Sequence, residues 1–337
     1  MLTYLAVQPQ KRQGFALSYI EVRGVNKFFT VRKKKSRGAL FREKETVHAL
    51  KDLSLDIEQG ELVGYIGPNG AGKSTTVKIL SGILTPEEGT VTVGGRVPWI
   101  SRKNHVRRIG VVFGQRSQLW WDVPIQDSFS LLRDIYRVPD GAYQKRLGEL
   151  TEALQLGDLL RTPLRLCSLG QRMRAELCGS LLHSPELLFL DEPTIGLDAV
   201  SKLALRDFLR WENGQRGTTI LLTTHDMEDI TALSSRVMVL GHGRLLYDGA
   251  MRDLLARYDT QRTAAVRYEA PVELSGLPAG CQVARQGETF LVTYSPQAVA
   301  AGEVLERLRL AGPIAELTIQ PQSVDHLIAR MYREMEL

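Results

Sequence analysis

A short glycine-rich segment constrains the fold of this chain more than any other feature. It matches the pattern G-x-x-x-x-G-K-[ST] and consists of Gly67, Pro68, Asn69, Gly70, Ala71, Gly72, Lys73 and Ser74. The apolar, partly β-branched run 62–66 precedes it, and helical character begins at Thr75. Strand, glycine loop and helix in this order are typical of a phosphate-binding loop, so a parallel α/β domain is expected.

The loop predicts a site for a nucleoside triphosphate and Mg²⁺. In such loops backbone amides wrap the phosphates, so Lys73 is expected to neutralise them and the Ser74 hydroxyl to ligate Mg²⁺. Thr75 is predicted to bind the nucleotide as well. Glycines are needed here because a Cβ would obstruct the approach of the backbone to the anion.

Two acids follow the apolar run Leu187–Leu190, which is predicted to be a buried strand. The carboxyl end of a parallel strand opens into the ligand crevice of the sheet. Asp191 is therefore predicted to hold Mg²⁺, and Glu192 to act as general base on the attacking water.

The chain is long enough for one large and one small domain. The pattern predicts an N-terminal tail (1–17), an α/β domain (18–258) with a helical insert at about 116–183, and a small α+β domain (259–337). Between the expected strands Tyr19–Val22 and Leu53–Ile57, a basic run is predicted to be a solvated, mobile insertion, with contact to anionic lipid headgroups as the alternative. Its residues are Arg32, Lys33, Lys34, Lys35, Arg37 and Arg42.

Composition limits the partners and the compartment. With 43% hydrophobic and 24% charged residues the chain is expected to fold, and its net charge of +5 favours anionic partners. Three scattered cysteines fit a reducing compartment. No export signal and no apolar run long enough for a membrane span are found, so membrane association is expected through a partner or through surface charge.

The order of further motifs resembles the ATP-binding cassette family. After the phosphate loop come Gln115, the run Cys167–Gln171, the acids Asp191 and Glu192, the run Gly196–Asp198, and His225. The similar stretch runs from about Phe29 to about Tyr258, or about two thirds of the chain. The resemblance implies the P-loop ATPase fold of these proteins, with ATP and Mg²⁺ as ligands.

The resemblance also implies roles for individual residues. Phe29 corresponds to the aromatic residue that stacks on adenine; the alternative, and the more common case for a phenylalanine taken alone, is a place in the core. Gln115 corresponds to the glutamine that senses Mg²⁺ and the γ-phosphate, and His225 to the histidine that contacts the γ-phosphate. Asp198 corresponds to the aspartate that crosses the dimer interface.

Ser168, Gly170 and Gln171 resemble the family's signature motif Leu-Ser-Gly-Gly-Gln. The sequence departs from it at Cys167, where the motif has leucine, and at Leu169, where it has glycine. Because the signature of one copy faces the nucleotide of another, the resemblance implies a dimer.

The resemblance implies an ATPase subunit that powers separate membrane permease subunits, at the cytoplasmic face of the inner membrane. Trp120 and Trp121 lie where the family receives a permease helix, with core packing as the alternative. The tail 321–327 loosely resembles those of drug, lipid or polysaccharide exporters, and the mixed pattern of the last domain differs from the all-β domain of importer subunits. Export is therefore preferred, and a nucleic-acid partner is not expected. The alternatives are an importer ATPase, a non-transport ATPase acting on ribosomes or DNA, and a small-molecule kinase.

Overall fold

The protein consists of two compact units that are divided between Ala250 and Met251. The computed structural model describes residues 18–34, 42–114, 116–224, 226–258, 261–321 and 324–334. The predicted tail 1–17 and the predicted site residues Gln115 and His225 lie outside the described residues. The division falls one short helix before the expected boundary at Tyr258, because that helix packs against the last helix of the second unit.

The first unit contains two sheets and a set of helices. Its strands are β1 (Ser18–Lys34), β2 (Arg42–Glu58), β3 (Leu62–Ile66), β4 (Glu88–Val93), β5 (Ile109–Phe113), β6 (Leu187–Asp191), β7 (Thr219–Thr223), β8 (Arg236–Gly241) and β9 (Arg244–Ala250). Its helices are α1 (Lys73–Leu80), α2 (Arg102–Val106), α3 (Ile125–Tyr136), α4 (Asp140–Ala153), α5 (Leu169–Leu181), α6 (Ala199–Arg216) and α7 (Met227–Leu233).

The central sheet positions the site. Its strand order is β5-β6-β7-β3-β8-β9, and all neighbouring pairs are parallel except β8 with β9. Every residue of β3 and β7 is buried, as expected for apolar strands covered on both faces. Since the strands are parallel, the phosphate loop after β3 and the acids at the end of β6 emerge at the same edge, separated by β7. The predicted α/β fold class is confirmed.

The second sheet corrects the prediction for the basic run. It is antiparallel, with the order β2-β1-β4. The pairing of β1 with β2 continues to Lys34↔Arg42, so Arg32, Lys33, Lys34 and Arg42 belong to a strand ladder and not to a loop insertion. β-branched residues on both strands, such as Val31 and Val47, favour strand pairing. The ladder also gives hydrogen-bond partners to backbone N–H and C=O groups, and the charge pattern of the sequence carries no information about such pairing. Lys35 and Arg37 lie outside the described residues.

A helical region separates β5 from β6, as the sequence predicted. It comprises α3, α4 and α5, and its buried side chains include Phe129, Leu132, Leu150 and Leu177. The apolar residues of α3 recur at helical spacing, which made this region recognisable. Among the helices of the described residues, none is both long enough and apolar enough to cross a bilayer.

The second unit is an α+β structure. It consists of α8 (Met251–Tyr258), β10 (Arg262–Tyr268), β11 (Gln282–Gln286), β12 (Thr289–Tyr294), α9 (Ala301–Ala311), β13 (Ile314–Pro321) and α10 (Val324–Glu334). The strands form an antiparallel sheet in the order β11-β12-β10-β13, around a core that includes Val266, Tyr294, Val304 and Leu308. All five residues of β11 are exposed, so no apolar alternation marked this strand in the sequence.

A buried ion pair joins α4 to α6, and its loss is expected to destabilise the first unit. Arg146 donates to Glu212 at 2.6 Å, and both side chains are almost inaccessible. Arg146→Ala would leave the Glu212 carboxylate buried without its cation, at a cost of about 3–5 kcal/mol. Urea unfolding, monitored by tryptophan fluorescence, measures the free energy of unfolding of the first unit, because all four tryptophans lie in it.

The matched control is Arg210→Ala, which removes an exposed ion pair with Asp207 on the same helix α6. Its expected effect is below about 1 kcal/mol. If Arg146→Ala and Arg210→Ala lowered the free energy of unfolding equally, the larger contribution expected of the buried ion pair would be contradicted.

Candidate active site

The phosphate loop is packed so closely against neighbouring strands that two of its positions accept only glycine. A Cβ at Gly67 would lie 2.4 Å from the carbonyl oxygen of Leu240, at the end of β8. A Cβ at Gly72 would lie 2.7 Å from the Leu50 side chain of β2, and Gly72 has a φ of 110°. Only glycine combines this conformation with this close approach. The backbone therefore forms a narrow cradle suited to an anion.

Lys73 places its ammonium group inside this cradle. Its Nζ donates to the carbonyl oxygens of Gly67 at 2.6 Å and Pro68 at 3.2 Å, and only 7% of the residue is exposed. Burial lowers the pKa of Lys73, and the charges of Glu192 and Asp191 act in the opposite direction. A phosphate group bound in the loop would be a stronger partner for this ammonium group than neutral carbonyls.

The start of α1 adds positive potential to the cradle. Gly72 precedes the helix and has no side chain to cap it, and the first turn carries no acidic residue. The amide groups of a helix N-terminus and the helix dipole both favour an anion. Ala71 is buried and Thr75 is half-buried, while Asn69 and Gly70 form the exposed rim of the loop.

Asp191 and Ser74, the two predicted Mg²⁺ ligands, converge beside the loop. The Ser74 hydroxyl donates to Asp191 Oδ1 at 3.3 Å, and the Thr223 hydroxyl donates to the same oxygen at 2.6 Å. Hydroxyl and carboxylate oxygens are the ligands that Mg²⁺ prefers, so the residues present fit this ion. The sequence analysis did not single out Thr223. The feature that could have indicated it is its position at the end of the apolar strand β7, where it pairs with Asp191 of β6.

Glu192 is held in an unusual backbone conformation at the end of β6. Its φ is 58°, which is uncommon for a residue with a side chain, and its amide donates to the Thr223 carbonyl at 2.9 Å. Gly114, at the end of β5, lies so close that a Cβ there would be 2.3 Å from the Glu192 carbonyl oxygen. Backbone strain of this kind concentrates at functional sites. Gly114 is a second positioning residue that the sequence analysis missed.

The residues similar to the signature motif form the start of α5. Ser168 Oγ accepts the Gln171 amide at 3.2 Å, and Gln171 Oε1 accepts the Ser168 amide at 2.8 Å, which completes a capping box. Leu169 is the first residue of the helix and is 44% exposed. Its side chain lies beside Gly196, where a Cβ would be 2.9 Å from Leu169 Cδ2, and the capping box is present despite this departure from the motif.

Asp198 caps the next helix, α6, and lies close to the signature residues. It accepts the Ser201 amide at 2.8 Å, and this hydrogen bond holds the pKa of Asp198 below its usual range. A Cβ at Gly170 would lie 2.3 Å from Ser201 Oγ. Ser201 thus lies beside both Asp198 and the buried Gly170.

Phe29 is half-buried in β1, opposite Val47 of β2. The Lys27 ammonium group lies 5.4 Å from the centre of its ring. None of the described contacts of Phe29 links it to Lys73 or Asp191. Its predicted role at adenine therefore stays a prediction.

Trp120 and Trp121 are exposed, and not part of the core of the helical region. Their exposed fractions are 58% and 47%. The Arg172 guanidinium lies 4.3 Å from the Trp121 ring centre, which holds that ring in place. Gln118 is also exposed, and its side-chain amide donates to the Glu176 carbonyl at 3.0 Å.

Comparison with known proteins identifies the family. The family model described as ABC transporter matches residues 50–195. The ABC transporter ATP-binding protein NatA of Bacillus subtilis is 30% identical over 67% of this chain and 90% of its own length. This chain belongs to the ABC transporter family. It is an ATP-binding subunit and an ATPase of that family.

Other relatives of this ABC ATPase differ in their transport roles. The cobalt import ATP-binding protein CbiO of Rhodobacter capsulatus is 35% identical over 68% of this chain and 82% of its own length. The daunorubicin resistance ATP-binding protein DrrA3 of Streptomyces coeruleorubidus is 35% identical over 66% of this chain and 70% of its own length.

A solved ATP-binding cassette shares the fold. It is a dimer in a post-hydrolysis state with ADP and Pi, and it matches with a TM-score of 0.59 and 25% identity, over 69% of this chain and 99% of that chain.

Proposed function

We propose that this ABC ATPase hydrolyses ATP with Lys73 and Glu192 and thereby drives a separate membrane permease that exports its substrate. The buried Lys73 ammonium group in a glycine cradle carries the nucleotide assignment. The loop binds and orients the triphosphate, and Lys73 neutralises it. Glu192 accepts the proton of the attacking water as general base.

Ser74 and Asp191 would hold Mg²⁺, which when bound neutralises charge on the phosphates. The Thr223 hydroxyl orients the Asp191 carboxylate by its hydrogen bond of 2.6 Å. Thr223→Val retains the shape of the side chain and removes this bond, so the apparent Mg²⁺ affinity is expected to fall about 10- to 100-fold.

Titration of Mg²⁺ against the binding of a fluorescent ATP analogue measures this effect. Thr231→Val is the control, because its hydroxyl donates only within α7. An unchanged Mg²⁺ dependence for Thr223→Val would show that Thr223 does not orient a ligand.

A dimer would complete the site. Ser168, Gly170 and Gln171 at the start of α5 would present a hydroxyl, amides and a helix N-terminus to the nucleotide of a second copy, with Asp198 at the same interface. The position of Ser201, which donates to Asp198 and lies close to Gly170, supports placing the starts of α5 and α6 at the same interface. The ordering of this interface by the γ-phosphate, and its release after hydrolysis, would be the conformational step passed to the permease.

The fold of the second unit supports export over import. It is a small antiparallel sheet with helices, whereas an all-β, barrel-like domain was expected for an importer subunit. The drug-resistance name of one relative points the same way, although another relative is a cobalt import protein. The permease places the subunit at the cytoplasmic face of the membrane.

Transport in membrane vesicles tests the direction. The chain is co-expressed with the membrane proteins encoded beside it, and inside-out vesicles are given ATP and a drug-like fluorescent dye. Export predicts ATP-dependent accumulation of the dye, and none with Glu192→Gln. Uptake of a substrate only into right-side-out vesicles would contradict export.

Trp120 is proposed to contact the permease, because a large exposed aromatic side chain is typical of an interface anchor. Trp120→Ala is expected to weaken binding to the permease about 30-fold or more, without a change in basal ATPase rate. Pull-down against a permease concentration series measures this. The control is Ile100→Ala, which removes another highly exposed apolar side chain. Equal affinities for both variants would place the interface elsewhere.

A further inference from the structure

The last strand of the second unit, β13, lies at one edge of the antiparallel sheet. Its partner is β10, and no other strand of the described residues pairs with it. The ladder is regular from Arg267↔Glu316 to Arg262↔Pro321. The side of β13 that faces away from β10 therefore presents a row of backbone N–H and C=O groups, which is a template for pairing with another strand. This side is called the free edge of β13.

Two large apolar side chains on β13 are incompletely covered. Leu317 pairs with Val266 and Ile319 pairs with Ala264, so both lie on the face of the sheet that carries the core. Val266 and Ala264 are fully buried, whereas Leu317 is 36% exposed and Ile319 is 39% exposed. The apolar face of the sheet therefore continues past the core to the free edge of β13.

β13 also lacks the features that usually protect an exposed edge strand, which are short length, unpaired charges, bulges and proline. It has eight residues, with proline only at the last position. Its one charged residue, Glu316, accepts a hydrogen bond from Arg267 at 3.2 Å. The strand at the opposite edge, β11, has only five residues and carries Arg285. Of the two edges, the free edge of β13 is thus the better suited to pairing.

The sequence of β13 is complementary to itself in the antiparallel direction. A two-fold axis through Thr318, perpendicular to the sheet, would place Leu317 opposite Ile319 of a second copy on each side of the axis. It would place Glu316 opposite the neutral Gln320, so no like charges face each other. Such an axis leaves the apolar faces of both copies on the same side. Apolar pairs across neighbouring strands stabilise a sheet.

We propose that the free edge of β13 pairs with β13 of a second copy of this chain, so that two four-stranded sheets join into one continuous sheet. A single pair of strands buries less than the roughly 1,600 Å² of a standard interface, so the contact is weak between free chains. A dimer of ABC ATPase subunits brings two second units into one complex and raises their effective concentration. The contact holds two copies together without using the nucleotide site.

Disulfide trapping between full-length chains tests the proposal. In the register centred on Thr318 the two Thr318 side chains lie directly opposite each other, with Cβ atoms close to the separation that a disulfide requires. Thr318→Cys should therefore form disulfide-linked dimers under mild oxidation with copper phenanthroline. Every chain also carries Cys281→Ser, since Cys281 is half-buried while Cys167 and Cys178 are buried. No nucleotide is added, so the result is independent of the ATP site.

The matched control is Ala284→Cys, at the centre of the other edge strand, β11, where the residue is also exposed. Thr318→Cys should form dimers at least about tenfold faster than this control, because only its two thiols are held next to each other.

A second comparison adds charge to the free edge of β13. In the Thr318→Cys chain, Leu317→Lys/Ile319→Lys would set lysines opposite each other and should slow dimer formation at least about tenfold. Val283→Lys/Gln286→Lys adds the same charge at exposed positions of β11 and should leave the rate unchanged. Circular dichroism checks the fold of both variants. Should the Leu317→Lys/Ile319→Lys variant fail to fold, the comparison of Thr318→Cys with Ala284→Cys still decides.

Three results would overturn the proposal. The first is formation of disulfide dimers at the same rate by Thr318→Cys and Ala284→Cys. The second is an unchanged rate in a folded variant with both lysines on β13. The third is obtained with a benzophenone label on Thr318→Cys in membranes that contain the permease. Crosslinking to a permease subunit, and none to a second copy, would assign the free edge of β13 to the permease.

Discussion

Glu192→Gln is expected to lower the steady-state ATPase rate at least about 100-fold, with ATP affinity within about twofold of the wild type. The amide retains the size of the carboxylate but cannot accept a proton from water. Because the backbone of Glu192 is fixed by Thr223 and by the close approach of Gly114, the substituted side chain should stay in place. Phosphate release measures the rate, and a fluorescent ATP analogue measures the affinity.

The matched control is Glu186→Gln, which changes an acid at the opposite end of the same strand. Glu186 accepts a hydrogen bond from Tyr19 and lies just before β6. The ATPase rate of Glu186→Gln should stay within about twofold of the wild type, since the side chain at position 186 cannot reach a water at the far end of β6. A Glu192→Gln variant that hydrolyses ATP as fast as this control would exclude Glu192 as the general base.

Lys73→Met is expected to weaken ATP binding about 100-fold. The thioether side chain fills a similar volume, so the loop keeps its packing while the buried positive charge is lost. Charge-assisted hydrogen bonds to phosphate are stronger than those between neutral groups, which is why this one ammonium group has a large effect. Equilibrium binding of ATP in Mg²⁺ measures the change.

Lys78→Met is the control for this substitution, because Lys78 lies in the last turn of the same helix, α1. The ATP affinity of Lys78→Met should equal that of the wild type, since the last turn of α1 places residue 78 away from the phosphate loop. If both variants bind ATP equally well, the ammonium group in the cradle is not the phosphate ligand.

The central sheet could be predicted from the sequence because its signals are local. β3, β5 and β6 are continuous apolar runs, as parallel strands buried on both faces must be. The glycine pattern and the acids that follow β6 lie at the ends of these runs. The sheet then brings Ser74 to Asp191, which are distant in sequence.

Other features could not be predicted because they depend on contacts with residues that are distant in the sequence. The outer half of the β1–β2 hairpin has a charged sequence, and only the cross-strand register shows that it is a ladder. Thr223 and Gly114 are ordinary residues in the sequence, and they gain importance because β7 and β5 lie on either side of β6. β11 is wholly exposed and depends on its backbone pairing with β12.

The most direct test of the account is a calorimetric titration of the wild-type chain with a non-hydrolysable ATP analogue in the presence of Mg²⁺. The cradle around Lys73 predicts saturable binding with one site per chain, and a large loss of affinity when Mg²⁺ is removed by a chelator. A folded chain that shows no saturable binding of the analogue would contradict the central claim that this loop holds the triphosphate.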